Sequence, residues 1–97
     1  MKPAAQVPSM LELRRQIDAI DAELVRLLAV RLEHIDRAAQ LKQAEGLPAR
    51  IPARVEEVVA NVRARAFDRG LDPELAEQVW RMLIEWSIKR EMAMMGE

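Results

Sequence analysis

An all-α fold, with three helices per chain and one of them far longer than the rest, is predicted by three observations. No stretch of the 97 residues alternates apolar and polar side chains as a half-buried strand would. From Leu11 to about Gln43 no proline or glycine interrupts the chain, and apolar residues recur at helical spacing. Beyond that run, Gly46-Leu47-Pro48 and Gly70-Leu71-Asp72-Pro73 punctuate the remainder into two further helices.

Residues 1–10, with Pro3 and Pro8, are expected to be a flexible lead-in, and residues 11–97 a single helical domain. In the first helix Leu13, Ile17, Ile20, Leu24 and Leu27 alternate spacings of four and three, which is the seam of an amphipathic, coiled-coil-like helix. Leu28, Leu32, Ile35 and Ala39 form a second stripe beside it, and Glu23 stands three residues before Arg26 for a local ion pair. Such a helix is roughly 50 Å long, whereas a compact domain of this size has a radius of gyration of about 13 Å. A rod of that length cannot bury its stripe within one chain, so a homodimer is expected. The second helix runs from about Ala53 to Asp68, burying Val55, Val58, Val59, Val62 and Ala66, with Gly70 as its stop. Asp72-Pro73-Glu74 supplies a cap, a first-turn proline and a first-turn acid for the third helix, which continues to about Met94. Trp86 is expected in the core.

Composition narrows the function. A net charge of -1 argues against nucleic acid or an anionic membrane as the partner. The absence of cysteine removes disulfides, thiolate metal sites and cysteine nucleophiles, and the single histidine, His34, leaves little scope for a histidine-based metal site or triad. No metal and no cofactor is expected. The first ten residues hold no apolar core of signal-peptide length, and a cytoplasmic protein is expected.

The cations are more informative. Residues at three and four positions from Arg31 are Leu27, Leu28, His34 and Ile35, so no carboxylate answers it on its own helix. An unpaired guanidinium in an apolar stripe is costly, which points to an anionic ligand. Lys42 follows eleven residues later, about 20° out of phase and roughly 16 Å along the axis, close enough for two long side chains to grip one small molecule. Alternatively, Lys42 caps its helix or pairs with Glu45. Arg14 is about 25 Å from Arg31 along the helix, so it either pairs with Asp18 or serves a site through a second chain. Arg54, taken alone, is an ordinary exposed residue. On the third helix Trp80, Ile84, Ser87 and Glu91 share a face, so the polar pair is either the floor of a polar site or a final turn fraying into solvent.

Together these residues resemble the all-helical (AroQ-type) chorismate mutase family, which includes the isochorismate-pyruvate lyases. The resemblance is carried by LRRQIDAIDAELVRLLAVR with Arg14 and Arg31, by Lys42, by PARIPAR ending in Arg54, by GLDPEL, and by IEWSIKRE. It implies an intertwined helical homodimer acting on a small dicarboxylate, chorismate or isochorismate, without cofactor. Arg31 would bind one carboxylate and Arg14 of the partner subunit the other. Lys42 would hydrogen-bond the ether oxygen and an adjacent carboxylate, with Arg54 and Ser87 completing the carboxylate side. Glu91 would stand where many relatives place a glutamine facing the same ether oxygen. Lys42, Glu91 and Arg31 are the catalytic candidates. Mutases of the family often carry acids for the substrate's ring hydroxyl where this chain has Ile51 and Val55, and the IPARV loop resembles the lyase branch. Chorismate mutase is therefore the first expectation, the lyase the second, and a non-catalytic helical dimer binding a partner or an acidic metabolite the third.

Overall fold

The computed structural model describes residues 1–97: a short 3-10 turn at Ala4–Gln6, then α1 (Met10–Glu45), α2 (Pro52–Asp68) and α3 (Pro73–Met95), with no strand. The fold is all-α, as expected. Its contacts divide the chain into two units, residues 1–33 and 34–97.

The first unit holds the lead-in and the N-terminal part of α1. Ser9 opens α1 by accepting the Glu12 amide N–H on its hydroxyl (3.2 Å), one half of a capping box that moves the start just ahead of Leu11. Gln16 donates to the Lys2 carbonyl (3.1 Å), tying the lead-in to the second turn. The expected Glu23–Arg26 ion pair forms, and it holds the Glu23 carboxyl below the usual carboxylate range by hydrogen bonding. Ile17, Ile20, Leu24, Leu27 and Leu28 all remain exposed within the chain.

The second unit is held by α2 against α3 and by the loop that precedes α2. Its core is Ala49, Val59, Ile84 and Ile88, with Val55, Val58, Trp80, Met92 and Met95 packed around them. The three deepest positions are alanines, Ala39, Ala49 and Ala76, and Ala66 is also buried. Small side chains let neighbouring backbones approach closely, at the expense of buried apolar area. On the outer face Arg63 bridges Glu74 and Glu77 (2.8 Å each), and Arg81 bridges Glu77 (2.7 Å) and Glu56 (3.1 Å), linking α2 to α3.

The helix ends follow the local chemistry. Gly46 closes α1 at φ 70°, where the Leu47 N–H reaches back to the Lys42 carbonyl (2.8 Å) and the Gly46 N–H to Gln43 (3.4 Å). This is the glycine-terminated Schellman arrangement, and Gly70 repeats it after α2 through Leu71 to Ala66 (2.9 Å). Asp72 accepts the Glu74 N–H (2.9 Å) and caps α3, with Pro73 in its first turn. One expectation fails. Trp86 is 55% exposed, because α3 turns Ala76, Trp80, Ile84, Ser87, Ile88 and Glu91 inward and leaves Leu75, Val79, Met82 and Trp86 as a second apolar stripe outside.

Candidate active site

The site is built where the end of α1 and the loop after it meet the last turns of α3. Lys42 is in the final turn of α1, and its side chain is only 20% exposed. Its Nζ donates to the Ala49 carbonyl oxygen at 2.7 Å and lies 2.7 Å from Glu91 Oε1. Neither alternative expected of Lys42, a local cap or a pair with Glu45, describes this. Glu91 is 3% exposed and Ser87, one turn earlier on the same face, 5%. Burial of both rejects the fraying alternative.

The Lys42–Glu91 contact is an ion pair by distance, yet Glu91 Oε1 accepts no hydrogen bond within the chain. The charges touch, but the approach is off the line a hydrogen bond requires. A buried acceptor without a donor is costly, by about 1–3 kcal/mol, and such atoms mark positions where another group completes the geometry.

At the start of α2, Ile51 and Val55 are half-buried and Val59 is buried. Ile51 precedes α2 with extended backbone, and its carbonyl accepts the Arg54 (3.0 Å) and Val55 (3.1 Å) amides, so Pro52 enters the first turn without a side-chain cap. Val55 packs on the Ala49–Val59–Ile84–Ile88 cluster. Arg54 is exposed and paired with Glu57 across one turn of α2. Arg31 and Arg14 belong to the first unit, where Arg31 is half-buried and Arg14 exposed.

Several contacts were not anticipated. Asp36 on α1 accepts a fork from Arg90 on α3 (2.6 and 3.0 Å), and the Arg90 guanidinium lies 5.9 Å from the Trp86 ring centre. Hydrogen bonding from Arg90 holds the Asp36 carboxyl below the usual carboxylate range, outweighing desolvation, with direct attraction adding to it. Arg50 forks onto Glu85 (2.8 Å twice), and the Ala49 N–H is accepted by the Glu97 carboxylate (3.1 and 3.3 Å). A backbone carbonyl such as that of Ala49 has no side-chain signature, so no pattern could have marked it. The Arg-Glu dipeptide at 90–91, with one cation and one buried acid adjacent, was the available signal for Arg90.

The Lys42–Glu91 pair thus joins the last turn of α1 to the buried face of α3, with Ser87 one turn before Glu91 on that face. That description fits what sequence comparison finds. The chain belongs to the chorismate mutase type II family, whose pattern matches residues 13–92 and so spans Arg14 to Glu91. It is 36% identical over 85 residues to the T-protein of Enterobacter agglomerans, covering 88% of this chain and 23% of that protein. It is 30% identical over 89 residues to the 4-amino-4-deoxychorismate mutase of Streptomyces pristinaespiralis, covering 92% and 69%. It is 28% identical over 93 residues to the isochorismate pyruvate lyase of Pseudomonas aeruginosa, covering 95% and 90%. The chain thus spans under a quarter of the length of the T-protein it matches.

Proposed function

We propose that this chain is a chorismate mutase that works as a homodimer. The observation that carries the reading is the Lys42 ammonium held 2.7 Å from a buried Glu91 whose Oε1 has no hydrogen-bond donor. In the rearrangement the ether C–O bond breaks as a new C–C bond forms within one molecule, so no nucleophile and no external proton is needed. What helps is confinement of the enolpyruvyl arm over the ring and donors aimed at the ether oxygen as negative charge grows on it. Lys42 has three N–H donors and no acceptor; Ala49 engages one, and the substrate's ether oxygen and carboxylate would take what remains. Glu91 in its protonated form would donate to the same oxygen, and Ser87 would hold a carboxylate. Arg31, Arg54 and Arg14 of the partner subunit would clamp the two carboxylates with bidentate forks.

The dimer is supported by the α1 stripe. Ile17, Ile20, Leu24, Leu27 and Leu28 are about half exposed in the single chain, and burying the remainder of each against a second copy contributes about 1 kcal/mol. A second reading, isochorismate-pyruvate lyase, is favoured by the apolar Ile51 and Val55 at positions where mutases of the family often carry acids, and by the likeness to the Pseudomonas enzyme over nearly its whole length.

Purified protein is to be incubated separately with chorismate and with isochorismate. Prephenate from the first supports the mutase; salicylate plus pyruvate from the second supports the lyase. Turnover of neither leaves a non-catalytic dimer. Lys42→Ala is expected to lower kcat/KM by at least about 100-fold, roughly 3 kcal/mol of transition-state stabilisation. Arg31→Ala is expected to abolish turnover while far-UV circular dichroism stays unchanged.

A further inference from the structure

Lys42 does not reach its position by its own packing alone. One of its two short contacts is to the carbonyl oxygen of Ala49, in the loop between α1 and α2. Ala49 is wholly buried, at 0% exposure, although loop residues normally lie at the surface. Its two flanking peptide planes are held from opposite sides. The plane containing its N–H is fixed by the Glu97 carboxylate, both oxygens of which accept that hydrogen. The plane containing its C=O is fixed by Lys42, and the next residue, Arg50, is forked onto Glu85. Each peptide is rigid, so pinning both planes leaves the Ala49 backbone a single orientation.

We propose that Glu97 is a positioning residue for Lys42, acting through the Ala49 peptide. Glu97 lies just beyond α3, exposed, and touches neither Lys42 nor Glu91. Its carboxylate satisfies an amide that is otherwise buried without a partner. If that acceptor is removed, the buried Ala49 N–H must turn toward water, and the Ala49 φ and ψ that aim the next carbonyl at Lys42 lose one of their two anchors. The ammonium then loses the carbonyl it donates to and is left with its ion pair to Glu91. Gln43, which donates to the Met95 carbonyl at 3.3 Å, brings the same end of α3 to the end of α1 that carries Lys42. The kinetic part of this inference rests on the function proposed above; the structural part does not.

Two variants test it, Glu97→Ala and Glu97→Gln. The glutamine keeps an oxygen that accepts the Ala49 N–H and removes the charge. In nitrogen-15-labelled protein without substrate, the Ala49 amide of Glu97→Ala is expected to exchange with solvent at least tenfold faster, and the Lys42 ammonium signal to shift. Glu97→Gln stays close to wild type in both. On whichever of chorismate or isochorismate the wild type converts, Glu97→Ala lowers kcat at least fivefold and Glu97→Gln recovers most of it. An unchanged Ala49 amide in Glu97→Ala, wild-type turnover by that variant, or equal impairment of the two variants overturns the proposal. If the wild type converts neither substrate, the function proposed above fails, and the Ala49 and Lys42 signals alone decide whether Glu97 positions the lysine.

Discussion

The Lys42–Glu91 contact has unequal consequences for its two members. Glu91 is the more deeply buried, so removing Lys42 leaves a carboxylate uncompensated inside the fold, whereas neutralising Glu91 leaves a lysine that still has the Ala49 carbonyl. Lys42→Met is therefore expected to lower unfolding free energy by about 3 kcal/mol in urea titration, and adding Glu91→Gln to it should recover most of the loss. Glu91→Gln alone separates catalysis from stability. In the mutase proposed above, a carboxylate at this position would repel charge forming on the ether oxygen, whereas an amide would donate to it. We expect Glu91→Gln to raise kcat on the proposed substrate, because an amide donates where a carboxylate repels; an unchanged or lower kcat in a folded Glu91→Gln protein rejects this role. The sequence singled out both residues, Lys42 as a cation and Glu91 as an acid continuing an apolar stripe. Spacing alone could not show that they meet, because the contact joins residues far apart in the chain; the family resemblance implied it by setting both at one ether oxygen, while the Ala49 carbonyl that completes the lysine's surroundings had no signal.

At the scale of the helices, the ends were written in the chain and the faces only partly so. Gly46, Gly70, Asp72 and Pro73 act within one turn of where they stand, so local chemistry determines them. Ser9 belongs with them; the Ser-x-x-Glu spacing to Glu12 was there to be read. Trp86 was misplaced because α3 carries two apolar stripes, and periodicity alone does not say which of them faces the same chain. The tie between α1 and α3 through Asp36 and Arg90 gives this scale its own prediction. The Asp36 carboxyl is held below its ordinary range in the folded protein by hydrogen bonding from Arg90. The folded state thus gains stability from it at pH values above the unfolded carboxylate range, and loses that gain as pH falls through the lower folded value. Glu77 and Glu85, lowered in the same way by hydrogen bonds from Arg81 and Arg50 respectively, add to the trend. The melting temperature should be nearly flat near neutrality and fall below about pH 4. Asp36→Asn should melt lower than wild type at pH 7, with the two curves converging in acid.

For the whole molecule, the exposed α1 stripe makes association the main open contribution to stability. Leu24→Glu places a charge in the middle of that stripe without touching Lys42, Ser87 or Glu91. Sedimentation should show a dimer for the wild type and a monomer for the variant. Turnover should be lost with the dimer if Arg14 of the partner subunit completes the site. Preserved activity in a monomer would remove Arg14 from it.

The alanine-lined interior reverses the usual order of mutational tolerance. Ala39, Ala49, Ala66 and Ala76 are each 5% exposed or less, so a longer side chain at any of them has no solvent to extend into. Overpacking of this kind costs about 1–3 kcal/mol, and at Ala49 it also disturbs the carbonyl that Lys42 donates to. In a randomised library the smallest residues of this chain should thus be the hardest to replace, and changes of substrate preference should collect at the half-buried Ile51 and Val55, where volume can change without moving a helix.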